Sequence, residues 1–320
     1  MVNIRFLWLP RRTALAVPYH FRQVTRDPLG LSVSVVIPVR NGASTIAAQM
    51  HALFDQQDAP PFEVIVADNG STDGTDQLVE LLACESPPNI AVRVLPCPER
   101  VGVSAARNAG AAASVADLIL ICDADDIVSP CWVQQMTAAL EHFDVVGGAL
   151  NEINLNPDLG PEQRRGLDEK LPISLGFLPY ATGANVGARR AVIEAIGGWD
   201  ETFVGGGDDV DFSWRAQLAG FTLGFAEGAV IDYRLRTDLK GSYRQAYRYA
   251  RSGPKLYRTY RDAGAHRRGL RSIVYSWFWI TTRACVLPFG DYAFRRKWSR
   301  RSALAIGRIS GSLSNKVIFF

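Results

Sequence analysis

Four short apolar runs, at residues 33–37, 62–67, 90–95 and 118–122, alternate with three stretches of helical pattern at 44–56, 75–84 and 103–115. That order leaves few folds open. Parallel strands cannot be joined by a tight turn; each pair needs a crossover, usually a helix. The runs are rich in Val and Ile and do not alternate with polar residues, as befits strands covered on both faces. The expectation is an α/β domain with a mainly parallel central sheet flanked by helices. A further strand is expected at 145–149, followed by a loop-rich stretch at 151–180 carrying Pro157, Pro161, Pro172 and Pro179. Helices at 189–196 and 208–219 are closed by Gly197 and Gly220, and strands are expected at 221–225 and 229–233. From 239 onward the chain reads mainly as helix, interrupted near Gly253-Pro254 and again near Pro288-Phe289-Gly290. Three regions follow: an N-terminal extension at 1–30, the α/β domain at 31–235, and a helical, basic region at 236–320.

Open sheets of this kind bind ligands at the carboxyl ends of their strands. Polar and acidic residues gather there: Arg40 and Asn41 in the segment Pro38-Val39-Arg40-Asn41 after the first run, Asp68 through Asp73 after the second, and Asp123, Asp125 and Asp126 in Asp123-Ala124-Asp125-Asp126 after the fourth. Asp123 and Asp125, two residues apart, suit one hard cation such as Mg²⁺ or Mn²⁺, although an acidic turn in solvent has the same pattern. Asp68 is placed to accept hydrogen bonds from a ribose or a base edge, with Asp73 or Thr75 capping the helix that follows. Arg107, in the small-residue segment GVSAARNAG, is suited either to a phosphate or to a plain surface position. The segment GGGDDVD crowds Asp208, Asp209 and Asp211 into the first turn of a helix, where the helix dipole favours ionised carboxylates. Asp208 as cap and Asp211 paired with Arg215 would leave Asp209 free to act as a general base.

The segments VSVVIPVRN, VIVADNGSTDGT, GVSAARNAG, ILICDADD, TGANVGARRAVIEAIGGWDE and GGDDVDFSWRAQLAGF occur in this order. As a set they resemble the family 2 glycosyltransferases of GT-A fold, over roughly residues 32–233. The resemblance implies a nucleotide-sugar-binding domain and a single in-line displacement that inverts the anomeric carbon. Pro38, Val39, Asn41 and Asp68 would line the nucleotide pocket, with Arg107 and Asp123 beside it. Asp125, with Asp123, would place Mn²⁺ or Mg²⁺ on the diphosphate. Asp209 would take the acceptor's proton, with Asp208 where many members carry Glu. Gly183, Ala184, Asn185, Trp199 and Asp200 would border the donor-sugar and acceptor region. Where many members have a His after the last sheet strand, this chain has Asp232. A nucleotidyltransferase of related fold would need a Gly-rich basic loop after the first strand, which Asn41-Gly42-Ala43-Ser44 is not. A non-catalytic nucleotide-sugar or membrane-binding protein would be favoured by loss of Asp123, Asp125 or Asp209, and all three are present.

Charge divides the chain in two. Residues 234–320 hold 20 Lys and Arg against 3 Asp and Glu; residues 1–233 hold 15 against 29. The basic part favours anionic partners. Arg244, Arg248, Arg251, Lys255 and Arg258 share one helix face, and Trp277, Phe278 and Trp279 form an apolar cluster near further arginines. That mixture suits an anionic membrane interface, with a lipid-linked or cell-envelope glycan as acceptor; a solvated face over an aromatic core is the plainer reading. Nucleic acid is not expected as a partner. The apolar run at the start is broken by Arg5 and ends at Pro10, short for a signal peptide. Only 11 uncharged residues separate Arg271 from Arg283, against about 20 for a spanning helix. Five cysteines without a C-x-x-C pair fit a reducing compartment. The expected location is therefore the cytoplasm, on the cytoplasmic face of the cell membrane.

Overall fold

A computed structural model of the chain describes residues 30–267 and 269–319. The expected N-terminal extension, Gly30 apart, lies outside the described residues. The elements run β1 (Val33–Val39), α1 (Ile46–Phe54), β2 (Phe62–Asp68), α2 (Thr75–Ala83), β3 (Ile90–Pro96), α3 (Val103–Ala113), β4 (Leu118–Cys122) and β5 (Ile127–Val128). They continue with α4 (Trp132–His142), β6 (Val145–Asn151), β7 (Asn185–Arg189), α5 (Arg190–Ile196), α6 (Asp208–Leu218), β8 (Leu223–Asp232), α7 (Leu239–Tyr260), α8 (Leu270–Ala284) and α9 (Tyr292–Asn315).

The strands form one sheet in the order β3-β2-β1-β4-β7-β6-β8-β5. The pairs β1–β2, β1–β4, β2–β3 and β6–β8 are parallel. β7 is antiparallel to both β4 and β6, and the two-residue β5 is antiparallel to β8. The sheet, expected to be mainly parallel, has four parallel pairs and three antiparallel ones, with the reversed strand β7 at its centre. Every residue of β1 and β2 is buried, as their Val- and Ile-rich sequences require. One apolar cluster, with Trp132 at 0% exposure, packs α1 and α4 on the sheet; a second, with Phe212 and Trp199, packs α5 and α6. Gly110 lets α3 lie on β1, because a Cβ there would come within 2.3 Å of Val36 Cγ1.

Four elements depart from expectation. α4 was not foreseen, although Trp132, Val133, Met136 and Leu140 carry a helical spacing and are all buried. β7 escaped notice because NVGAR is no apolar run; its burial comes from its central place in the sheet. The two strands expected at 221–225 and 229–233 are one strand, β8, whose register against β6 shifts between Gly148 and Ala149. The break expected at Pro254 is absent: α7 runs through it, while the second interruption is a 3₁₀ turn at Leu287–Phe289.

The basic region is not a separate body. Leu256 and Tyr260 of α7 share a buried cluster with Phe203, Val210 and Trp214 of the α/β part. Tyr260 sits edge-on to Trp214 with ring centroids 5.1 Å apart, and its hydroxyl donates to Asp211 Oδ1 at 2.6 Å. α9 lies along α7, with Gly307 and Gly311 at the contact; a Cβ at either would fall within 2.5 Å of a backbone oxygen of α7.

Candidate active site

The loops after β1 and β2 are laced together. Asn41 adopts a left-handed backbone (φ 57°), and its Oδ1 accepts from the Thr72 amide at 2.8 Å. The Asn41, Gly42 and Ala43 amides donate to Ser71 Oγ, Thr75 Oγ1 and Asp73 Oδ2. Asp68 Oδ1 accepts from the Ser71 amide and hydroxyl at 3.0 and 2.5 Å, so its carboxylate is fixed at the end of β2, with Pro38 and Val39 buried alongside. Asp73 accepts from the Thr75 amide at 3.2 Å, but the N-cap of α2 is Gly74, whose left-handed conformation replaces the expected side-chain cap. Asn69 bonds the carbonyls of Cys97 and Arg100 and accepts from the Gly102 amide, which positions the loop leading into α3.

Arg107 is the hub of the site. The small residues of α3 bring it to 4% exposure. One guanidinium nitrogen, Nη1, meets Asp208 Oδ2 at 2.7 Å; Nη2 meets Asp123 Oδ1 at 3.3 Å and the Gly183 carbonyl at 2.9 Å. Burial disfavours its charge, but Asp208 and Asp123 outweigh burial and hold it protonated. Where the sequence left open a phosphate or a surface position, the guanidinium is buried and engaged by protein atoms on three elements.

At the end of β4, Asp123, Asp125 and Asp126 each place a carboxylate oxygen within 4.8 Å of the others. Asp126 is 1% exposed; its Oδ1 accepts from the Arg234 amide at 2.8 Å, while Oδ2 is buried without a partner. Burial, then the neighbouring Asp123 and Asp125, push the Asp126 carboxyl well above the usual range. Asp125 Oδ2 meets Arg236 Nη2 at 2.8 Å. An all-oxygen set with one orphaned buried oxygen fits a hard divalent cation. Asp126 was outside the metal pair read from the sequence, although it is the next residue of the same acidic run. Asp232 stands apart from this set: the Asn151 and Asn154 side-chain amides both donate to its carboxylate, at 2.8 and 3.0 Å.

α6 presents the other wall. Its N-cap is Gly207 (φ 83°), not Asp208 as one reading had it; Asp208 is the first helical residue and is committed to Arg107. Asp211 does pair with Arg215, at 2.7 Å. Asp209 Oδ2 accepts from the Gly183 amide at 3.2 Å and Oδ1 from the Val210 amide at 2.8 Å. Burial, then the adjacent Asp208, push its carboxyl up to about 6, against the pull of Arg107. Gly183 is wedged here: a Cβ on it would lie 2.7 Å from the Arg107 guanidinium. Ala184 is buried next to it, and Asn185 ties β7 to its neighbours, donating to the Ala149 and Ala229 carbonyls and accepting from Trp132 Nε1. Trp199 lies deeper, stacked on Phe212 at 4.2 Å, with its amide and carbonyl both bonded to Asn108. Asp200 accepts from the Thr202 amide and hydroxyl and lies 3.6 Å from Lys255 Nζ.

Tyr249 of α7 was not foreseen as a site residue. The residue is half exposed, Gln245 Nε2 donates to its hydroxyl at 3.3 Å, and burial of the hydroxyl end, then Asp209 and Asp123, raises its phenol. A Cβ on Gly206 (φ 140°) would come within 2.6 Å of its ring, so the glycine turn before α6 fits under this tyrosine. No local motif marks Tyr249; it enters the site through tertiary packing.

The model of the family described as "Glycosyl transferase family 2" matches residues 34–197, and that of "Glycosyl transferase family group 2" matches residues 171–308. The chain belongs to the family 2 glycosyltransferases. Glycosyltransferase AglE of Haloferax volcanii is 29% identical over 202 residues, covering 62% of this chain and 65% of that one. The pre-mycofactocin glycosyltransferase of Mycobacterium tuberculosis is 31% identical over 231 residues, covering 67% of this chain and 46% of the relative. Thus this chain spans about half to two-thirds of the length of these relatives. Among solved structures, the mannosyltransferase of Pyrobaculum calidifontis in complex with GDP-Man and Mn²⁺ aligns with a TM-score of 0.55 at 19% identity, over 89% of this chain and 86% of the other. TarS 1-349 of S. aureus in complex with UDP-GlcNAc aligns at 0.54 and 15%, over 91% and 93%. The fold of this family 2 member is GT-A.

Proposed function

We propose that this chain is an inverting glycosyltransferase that moves a sugar from a nucleotide-diphosphate donor to an acceptor hydroxyl of a cell-envelope or lipid-linked glycan. The observation that carries the reading is a continuous path from Asp123 through Arg107 to Asp208, with Asp209 beside it. One buried guanidinium fixes the distance between the acidic end of β4 and the carboxylate at the start of α6, as an in-line displacement requires.

The roles follow from position. Asp68 accepts from the ribose or base edge, while Pro38, Val39 and Asn41 form the wall of the nucleotide pocket. Asp123, Asp125 and Asp126 would hold Mn²⁺ or Mg²⁺, whose positive charge would stabilise the departing diphosphate. Gly183, Ala184 and Asp200 border the sugars, with Asn185 and Trp199 supporting them from the core. Asp209 accepts the acceptor's proton as the acceptor oxygen bonds to the anomeric carbon; the bond to the diphosphate oxygen breaks and the nucleotide leaves with that electron pair. The Gly183 and Val210 amides hold Asp209 in place, and Arg107 braces Asp208 and Gly183 on either side of it. The GDP-Man, Mn²⁺ and UDP-GlcNAc complexes of the aligned structures support a sugar-nucleotide donor.

Residues of α8 support peripheral contact with an anionic membrane on its cytoplasmic face. Leu270, Val274 and Phe278 recur every four residues and are 74%, 60% and 62% exposed, and Phe289 beyond the helix is 88% exposed. Among the described residues no helix is long and apolar enough to cross a membrane.

Calorimetric titration with UDP, dTDP and GDP, with and without Mn²⁺, tests the donor reading. One nucleotide should bind only with the metal, and Asp125→Ala should abolish that binding. Absence of binding by every nucleotide under both conditions would remove the donor reading.

A further inference from the structure

A second cavity, of about 580 Å³, lies outside the donor site. Its walls are α7, the 202–204 loop and the end of α9. Arg244, Arg248, Arg251 and Lys255 line it, with Tyr243 and Tyr247 stacked almost parallel (7°) at 6.5 Å. Lys255 is 3.6 Å from Asp200, but Arg244, Arg248 and Arg251 form no ion pair among the described residues. Three unpaired guanidinium groups on one wall repel one another and favour an anion. Arginine forks match phosphate oxygens, and the faces of Tyr243 and Tyr247 offer apolar surface beside them.

The cavity's place narrows the ligand. Its floor at 202–204 runs directly into the 205–207 glycine turn and then Asp208 and Asp209. A Cβ on Gly205 would lie 3.0 Å from Arg248 Cδ, so the arginine wall and the turn are in contact. Four residues separate Val204 from Asp209, a span of at most about 18 Å over the five Cα–Cα steps. No residue of β1 to β4 lines the cavity, so the donor's nucleotide, held at those strands, is not its occupant.

We propose that this cavity holds a phosphate group carried by the acceptor, with the acceptor's sugar reaching from it to Asp209. The inference rests on the donor and base assignments above. It names what they leave open: the acceptor is anionic, and its charge is read by α7. Four cations here also give a structural use to the basic face of 244–258.

Two probes separate the sources of such a phosphate: farnesyl diphosphate for a lipid-linked acceptor and glucose 1-phosphate for a free sugar phosphate. Binding is measured in EDTA by calorimetry on the full chain and on an Arg244→Gln/Arg251→Gln variant. Both side chains are exposed on α7, so the fold should persist, and unchanged metal-dependent nucleotide binding by the variant reports this. At least one probe should bind the parent chain, and the variant should bind it about tenfold more weakly or worse, as loss of charged hydrogen bonds predicts. Asp125→Ala should bind the probe as the parent does. Failure of both probes to bind, or equal binding by the variant, overturns the proposal. Loss of nucleotide binding in the parent chain strikes the donor reading instead, so the two failures are distinct.

Discussion

Asp209 is largely withdrawn from solvent and stands next to the Asp208 carboxylate; these two facts raise its carboxyl pKa, against Arg107 and the Val210 and Gly183 amides that donate to it. Asp209→Asn should lower turnover by about 10²–10⁴ while nucleotide binding, read by calorimetry, stays intact. The acidic limb of the kcat/KM profile should fall through about pH 6, because the protonated carboxyl cannot take the acceptor's proton. Asp208, Arg107, Tyr180 and Tyr249 are the charged and titratable groups that bear on it. A carboxyl whose folded pKa is raised costs stability above its unfolded value, and the cost is complete above the folded one. Asp209→Asn should therefore raise the Tm by about 2–4 °C at pH 8 and leave it nearly unchanged at pH 4. Near-parental turnover in this variant would remove Asp209 as base. The placement of Asp123, Asp125 and Asp209 was legible because each sits at a strand end or helix start within an ordered motif. Tyr249 and the orphaned oxygen of Asp126 were not, since one depends on a helix 40 residues beyond Asp209 and the other on Arg234 bonding only its twin.

At the scale of elements, glycines decide how closely helices approach. The 205–207 turn has three positive φ angles, and Gly206 also faces the Tyr249 ring, so Gly206→Ala meets both backbone strain and a clash. It should reduce turnover and shift Tyr249 while leaving far-UV circular dichroism unchanged. Gly311 meets the Arg251 carbonyl and Pro254 in α7. Gly311→Val should separate α7 from α9 and destabilise the chain by about 1–3 kcal/mol, read by denaturant unfolding. The strands β1 to β4 could be read because both faces of each are covered, which leaves an uninterrupted apolar run. β7 could not, because its strand character depends on β4 and β6, which lie far from it in sequence. Pro254 misled for a related reason: the packing of α9 on α7 holds the helix through a residue that alone would break it.

For the whole molecule, the separation of charge has a geometric meaning. The acidic part contains the proposed donor pocket, and the basic part supplies the arginine cavity and the apolar face of α8. If that face meets lipid, Val274→Glu with Phe278→Glu should abolish cosedimentation with vesicles containing anionic lipid, and raised salt should weaken the parent chain's binding. Unchanged cosedimentation of the double variant would remove α8 as the contact.

The cluster shared by Trp214 and Tyr260 also orders events during synthesis. A ribosome adds about 5–20 residues per second, so roughly 2–9 s pass between Trp214 and Tyr260. Through that interval Phe203, Val210 and Trp214 exist without the helix that covers them. The nascent chain therefore carries an exposed aromatic patch around α6, and a stall or truncation there would yield a species prone to aggregate, not a smaller working enzyme.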